Sequence, residues 1–313
     1  MDVADEITEL QNQYATLSGV SKYTYKCTGL NDNIAISQIA QAILNGSYVA
    51  SDVSQAAATF LQALGGNTFL AALPDDAQIT IDVVGVCGVT TPFAGDGSAA
   101  SRYKWFSLGQ NDGSTRKLIF DFGKCHKIDI TCAANTNNII FYGTDLHLKN
   151  VHAVALSSAA ACNISMCVGA SEWGDQEFEA CRFKIVTTGK AIIAHHGNFT
   201  DCVLHVKSGT DNGYCIDAKS NGYVRLLGGT YFAYTGTTSK VSAVINVEST
   251  ETNAVVLAHG INCPTVQQSG YYQNYIARTN IGMTIIMGVI SSLTFNGNAS
   301  YRQVSGHVNK TKH

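Results

Sequence analysis

The chain has 313 residues, of which 45% are hydrophobic and 14% charged, against about 25% charged in an average soluble protein. That excludes intrinsic disorder and predicts a large core. With a net charge of −3 there is no electrostatic case for nucleic acid or anionic lipid, and the longest apolar run, Thr284-Ile-Ile-Met-Gly-Val-Ile290, is strand-sized, which excludes membrane insertion.

The opening residues, Met1-Asp-Val-Ala-Asp-Glu-Ile7, lack the basic start and apolar stretch of a signal peptide, so the expectation is folding in a cytoplasm. Val3, Ile7, Leu10, Tyr14 and Leu17 follow with a 4, 3, 4, 3 spacing, the a/d alternation of a helical seam. Two heptads do not hold a helix alone in water. The seam predicts an oligomerisation contact, with an ordinary amphipathic helix as the alternative.

An alternating strand, Lys22-Tyr-Thr-Tyr-Lys-Cys27, leads to a helix capped by Asn31 or Asp32. Its apolar face is Ile36, Ile39, Ala40, Ile43 and Leu44, and it ends at Asn45-Gly46. A second helix is predicted from Ser51-Asp52 through Val53, Ala57, Phe60, Leu61 and Leu64 to Gly65-Gly66. From Gln78 onward the pattern is that of strands. Residues 88–117, rich in Gly, Ser, Thr and Asp, read as one long loop or hairpin packed down by Tyr103, Trp105 and Phe106. Its glycines lack the strand–loop–helix setting of a phosphate site, and no cofactor is expected.

Ten cysteines are spread among strand formers with no Cys-x-x-Cys pair. They read as reduced, buried thiols ahead of disulfides, and the ligand spacings of a zinc site are missing, so no metal is expected.

From residue 118 the chain repeats itself. Phe122-Gly-Lys-Cys125, Leu148-Lys-Asn-Val151, Phe178-Glu-Ala-Cys181 and Phe199-Thr-Asp-Cys202 each place a large apolar residue, two residues suited to a bend, and a small residue opening an alternating strand. Leu227-Gly-Gly-Thr230 and Leu257-Ala-His-Gly260 continue the series. Repeats of a few tens of residues built from strands predict a mainly β solenoid, a parallel β-helix, with a β-sandwich as the competing fold. In it Phe122, Cys125, Val151, Phe178, Cys181, Phe199 and Cys202 form interior ladders. The expected organisation is an attachment segment at 1–20, a helical cap at 21–75, the β-helix at 76–283, and C-terminal strands and tail at 284–313.

Thr28-Gly29, then Asp32-Asn-Ile-Ala-Ile36 and Ala42-Ile43, followed by strands without helices, resemble the entry segment of the pectate-lyase-like right-handed β-helices of bacteriophage tailspikes and tail fibres. Lys117-Leu-Ile-Phe-Asp-Phe-Gly-Lys-Cys125 resembles an early coil of such proteins. The chain departs from the family pattern in lacking Gly-Asp-Gly before the turn and in carrying Asn33-Ile34 for Asp-Thr. The resemblance implies a homotrimer in a virion, assembled in the bacterial host cytoplasm. It also implies attachment to other tail or baseplate proteins through the N-terminal segment, and binding to bacterial surface polysaccharide.

Glycan cleavage needs two carboxylates facing one groove. Glu172, Asp175 and Glu177, beside Trp173 as a sugar platform, are the densest acidic group and the candidate site. A solvated loop has the same composition. Asp145, Asp201, Asp211 and Asp217 are scattered over different coils. His195-His196 alternate in direction on a strand and read, like His147, His152 and His205, as structural. The expected function is therefore a structural virion appendage that binds host surface glycan without catalysis. The alternative is a polysaccharide depolymerase, a hydrolase or lyase, on the same fold.

Overall fold

The computed structural model describes residues 20–27, 32–85, 88–89, 102–108, 116–125, 127–132, 137–143, 146–158, 162–168, 176–208, 213–218 and 223–227, with further strands as far as residue 310. The expected heptad at Val3, Ile7, Leu10, Tyr14 and Leu17, and the acidic loop residues Glu172, Trp173 and Asp175, lie outside the described residues.

The molecule is mainly β, with three sheets of parallel strands and few helices, an arrangement consistent with a parallel β-helix. Sheet I runs Val20–Cys27, Gln78–Gly85, Lys117–Cys125, His147–Lys149, Glu177–Glu179, Gly197–Thr200 and Tyr223–Leu227, then on to Tyr301–Gln303. Sheet II contains Ile128–Thr131, His152–Ser157, Arg182–Thr187, Val203–Ser208 and Tyr231–Gly236. Sheet III contains Arg102–Ser107, Asn137–Tyr142, Asn163–Val168, Ala191–Ala194 and Tyr214–Ala218. From Lys117 to Val247 the described strands visit I, II and III in strict rotation. Each strand pairs with those one circuit before and after it, as His147–Lys149 does with Lys117–Cys125 and Glu177–Glu179.

The repeated four-residue phrase is the bend from sheet I to sheet II. Its third residue is left-handed in three consecutive circuits: Asn150 at φ 55°, Ala180 at φ 52° and Asp201 at φ 53°. This turns the chain within two residues and drops the fourth residue, Val151, Cys181 or Cys202, into the interior with no exposed surface. Stacking continues through the bend, since Asn150 N donates to Glu179 O at 3.0 Å and Ala180 N to Thr200 O at 2.9 Å. Cys125, in the first copy, is only partly buried, and there the pairing with Gln78–Gly85 slips between Asp82 and Val84.

Inside, Phe178 aligns with Leu148 and Phe199. Phe106, Phe120, Phe122, Phe141, Phe178, Phe183 and Phe199 are all essentially fully buried. Four of the contacts run in series: Phe106–Phe141 and Phe141–Phe183 are tilted, Phe178–Phe183 is edge-on and Phe178–Phe199 is stacked. Aromatic geometry of this kind adds about 0.5–1.5 kcal/mol per pair beyond the area buried. The seven cysteines from Cys125 to Cys215 form no disulfide among the described residues, and all but Cys125 are buried. Burial, with Cys162 nearby, pushes the Cys132 thiol up to about 12, and burial raises those of Cys167 and Cys181 well above the usual range, so these thiols stay protonated and unreactive. At the turn from sheet II to sheet III, Gly189 passes so close to Cys162 O that an added Cβ would lie 2.1 Å from it, which only glycine permits.

Three helices close the N-terminal end: α1 (Asp32–Asn45), α2 (Gln55–Ala63) and α3 (Gly66–Ala72). The expected apolar face of α1 is buried throughout. The helix packs on Arg102–Ser107 and on α2, where Ser107 N donates to Ser37 Oγ at 3.2 Å. Arg116 ties helices to sheet: its guanidinium donates to Leu44 O at 3.0 Å, Leu73 O at 2.8 Å and Pro74 O at 3.2 Å.

Two expectations are corrected. Residues 88–117 are not one loop: Arg102–Ser107 is a strand of sheet III, paired in parallel with Asn137–Tyr142, and its Trp105 and Phe106 are core residues. The second helix starts later than expected, because Ala50–Asp52 is a 3-10 turn and Ser54 Oγ is the cap that accepts from Ala57 N at 3.3 Å. The second helix does stop at Gly65-Gly66, as expected, but a further helix not foreseen in the sequence follows at once. Gly65, at φ 99°, redirects the chain into α3.

Candidate functional site

Period-2 alternation puts Phe178 inside and its two neighbours on the outer face of sheet I. In-register stacking then builds two outward rows. One is Ile119, His147, Glu177, Asn198 and Arg225; the other is Asp121, Lys149, Glu179, Thr200 and Leu227. Between them lies a surface groove of about 250 Å³.

At one end of the groove, charges are matched. Glu177 Oε2 lies 3.0 Å from Lys117 Nζ and 3.0 Å from His147 Nδ1. Lys149 pairs with Glu179 at 2.6 Å. Asp121 Oδ1 accepts from Gly123 N and from Asn150 Nδ2, which locks the neighbouring bend. Partial burial pushes the Glu177 carboxyl up, but the hydrogen bonds and charges of Lys117 and His147 outweigh it and hold the carboxyl below its usual range. Toward the other end the rows become Asn198, Thr200 and the exposed Arg225. Asn198 Oδ1 is shielded from solvent and accepts no hydrogen bond from the described residues. Such a surface offers fixed donors and acceptors to a polyhydroxylated ligand.

Of the sequence candidates, Glu177 alone is both described and in the groove. Phe122, Val151, Phe178, Cys181, Phe199 and Cys202 are buried, and Cys125 is partly buried. His147 is buried against Glu177. His152, read from sequence as structural, is exposed on the outer face of sheet II, with His205 half-buried one row along. His195 Nδ1 lies 3.1 Å from Asp217 O, beside the fully buried Asp217 carboxylate. Among the described residues no three side chains of metal-ligating type converge.

Sequence reasoning missed Lys117, Lys149, Glu179, Asn198 and Arg225. The signal for Lys149 and Glu179 was present: aligning Leu148-Lys-Asn-Val151 with Phe178-Glu-Ala-Cys181 stacks Lys149 on Glu179, and extending it by one residue stacks His147 on Glu177.

No protein-family model, curated protein or solved structure matches the chain.

Proposed function

We propose that the chain is a trimeric, right-handed parallel β-helix of the tailspike and tail-fibre type, a virion appendage that binds bacterial surface glycan without cleaving it. The three parallel sheets visited in rotation, the helices packed at one end and the entry-segment resemblance support the fold and class. The observation that carries the choice of binding over cleavage is the state of Glu177. A glycosidase acid must hold its proton near neutral pH through a raised pKa. Glu177 is instead held ionised by Lys117 and His147, and Glu179 is engaged by Lys149. On this reading the groove serves recognition, with Asn198, Thr200 and Arg225 meeting sugar hydroxyls.

The test pairs a reducing-end assay on host-wall polysaccharide with sedimentation of the purified protein. Binding with no release of sugar, by a species of three chains, is the expected result. Release of reducing ends abolished by Glu177→Gln or Glu179→Gln overturns the non-catalytic reading.

A depolymerase remains the second reading for one reason. Glu177 and Glu179 alternate on one strand, which spaces their backbones about 7 Å apart, inside the roughly 5–10 Å range of glycosidase carboxylate pairs.

A further inference from the structure

The outer faces of sheets I and II place their histidines in opposite surroundings. On sheet I, His147 Nδ1 lies 3.0 Å from Glu177 Oε2, so protonating that imidazole adds an ion pair. On sheet II the register sets His152 beside Arg182 and His205 beside Lys184, one circuit apart in each case, with about 4.8 Å between the paired strands. Lys207 stands two residues beyond His205 on the same strand. Arg182, Lys184 and Lys207 are exposed and form no ion pair among the described residues. The acids near the two histidines are already engaged or stand at the bends. Lys127, in the circuit before His152, pairs with Asp129 at 2.8 Å. Asp201 sits at the bend leading to Val203, and across the bend before His152 and Arg182 the pair Lys149 and Glu179 is closed. On the far side His205 is opposite Ala233, with Tyr231 and Thr235 opposite Val203 and Lys207, and none of these three carries charge at neutral pH.

We infer that this face is a proton-responsive element of the solenoid: acidification loosens the circuits joined by His152–Ser157, Arg182–Thr187 and Val203–Ser208 ahead of sheet I. As neutral imidazoles, His152 and His205 are spacers between fixed cations. Protonated, each becomes a like charge directly opposite a cation on the adjoining strand, which destabilises strand pairing. Burial, and then Arg182, hold the His152 imidazole below its usual 6.5. Burial, then Lys184 and Lys207, do the same to His205. The unfolded segment therefore takes up these protons first as pH falls, and the stability of these circuits drops as pH passes downward through 6.5. Glu177 titrates below 4.5, so its contribution is separated from this one by pH. The element requires neither the ligand nor the oligomer of the proposed function.

The experiment is native-state hydrogen exchange on the full chain at about pH 7.5 and about pH 5.5, roughly one unit either side of the imidazole reference, corrected for the intrinsic pH dependence of amide exchange. Opening of Arg182–Thr187 and Val203–Ser208 is expected to rise roughly three- to tenfold on acidification, while that of Lys117–Cys125 changes clearly less. Combined His152→Gln and His205→Gln is expected to abolish the rise. Combined Arg182→Gln and Lys184→Gln is expected to shrink it and to move both imidazole titrations, followed by NMR, up toward 6.5; cations with a merely structural role would leave those titrations in place. Should the histidine double variant not fold, the second pair of substitutions and the titrations of the native chain carry the test. The inference is overturned by opening that does not respond to pH, by an equal rise in Lys117–Cys125, by a rise that survives loss of both histidines, or by imidazoles that titrate at or above 6.5 in the native chain.

Discussion

Phe178 and Phe199 stack ring on ring, one circuit apart in sheet I, with centroids 4.6 Å apart and 23° between their planes. Phe178 also meets Phe183 of sheet II edge-on at 5.8 Å, so one side chain joins two sheets and two circuits. Replacing it leaves a cavity that the rigid stack cannot close. Phe178→Ala is expected to cost about 3–5 kcal/mol, read as a lowered midpoint in denaturant unfolding. Phe178→Leu, which copies Leu148 in the preceding circuit, is expected to cost clearly less.

Ala180 is the only one of the three left-handed bend residues without a side chain suited to that conformation. A left-handed non-glycine residue costs about 1 kcal/mol or more, and Asn or Gly relieves it. Ala180→Gly and Ala180→Asn are expected to raise the melting temperature, each by the equivalent of about 0.5–1 kcal/mol. Asn150→Ala, which also removes the bond to Asp121, is expected to lower it.

The Glu177 carboxyl titrates below its usual value of 4.5 in the folded chain. A depressed carboxylate contributes stability above its unfolded pKa and loses it as pH falls through the folded one. Glu177 is half exposed, so solvent screening limits the contribution to below about 1 kcal/mol. Stability measured from pH 6 to pH 3, an interval of about three pH units around the reference value, is expected to fall more steeply in the native chain than in Glu177→Gln.

Arg116 is almost fully buried, and three backbone carbonyls depend on it. Arg116→Gln strands most of these acceptors and is expected to destabilise the helical cap by about 2–4 kcal/mol. Hydrogen exchange checks this directly. Amides of α1 are expected to lose protection while those of Arg182–Thr187 and Val203–Ser208 keep theirs. Equal loss in all three would show that the cap and the sheets open together.

The parallel sheets were legible because the bend phrase recurs with the same chemistry at each pass: a large apolar residue, two residues for the turn, and a small one to bury. The strand Arg102–Ser107 was not, because Lys104 interrupts its apolar pattern between turn-rich flanks. The structure buries that lysine by setting Nζ 3.8 Å over the Tyr142 ring, a cation–π contact that sequence spacing does not reveal. Helix α3 was hidden by Gly65-Gly66, which reads as a stop and acts as a hinge into a new turn. In the site, Lys149 opposite Glu179 follows from aligning repeats. Lys117 reaching Glu177 does not, since a long side chain crosses the intervening strand His147–Lys149 to make that bond.

The strict rotation through three sheets gives each strand from Lys117 to Val247 hydrogen-bonded partners only in the circuits directly above and below. Tension applied along the stack would therefore meet resistance one layer at a time, and fraying would advance inward from an end, with few long-range ties to arrest it. The guanidinium of Arg116, at the head of the third strand of sheet I, fastens the helices two layers in from that end and acts as a latch that peeling from there would have to open.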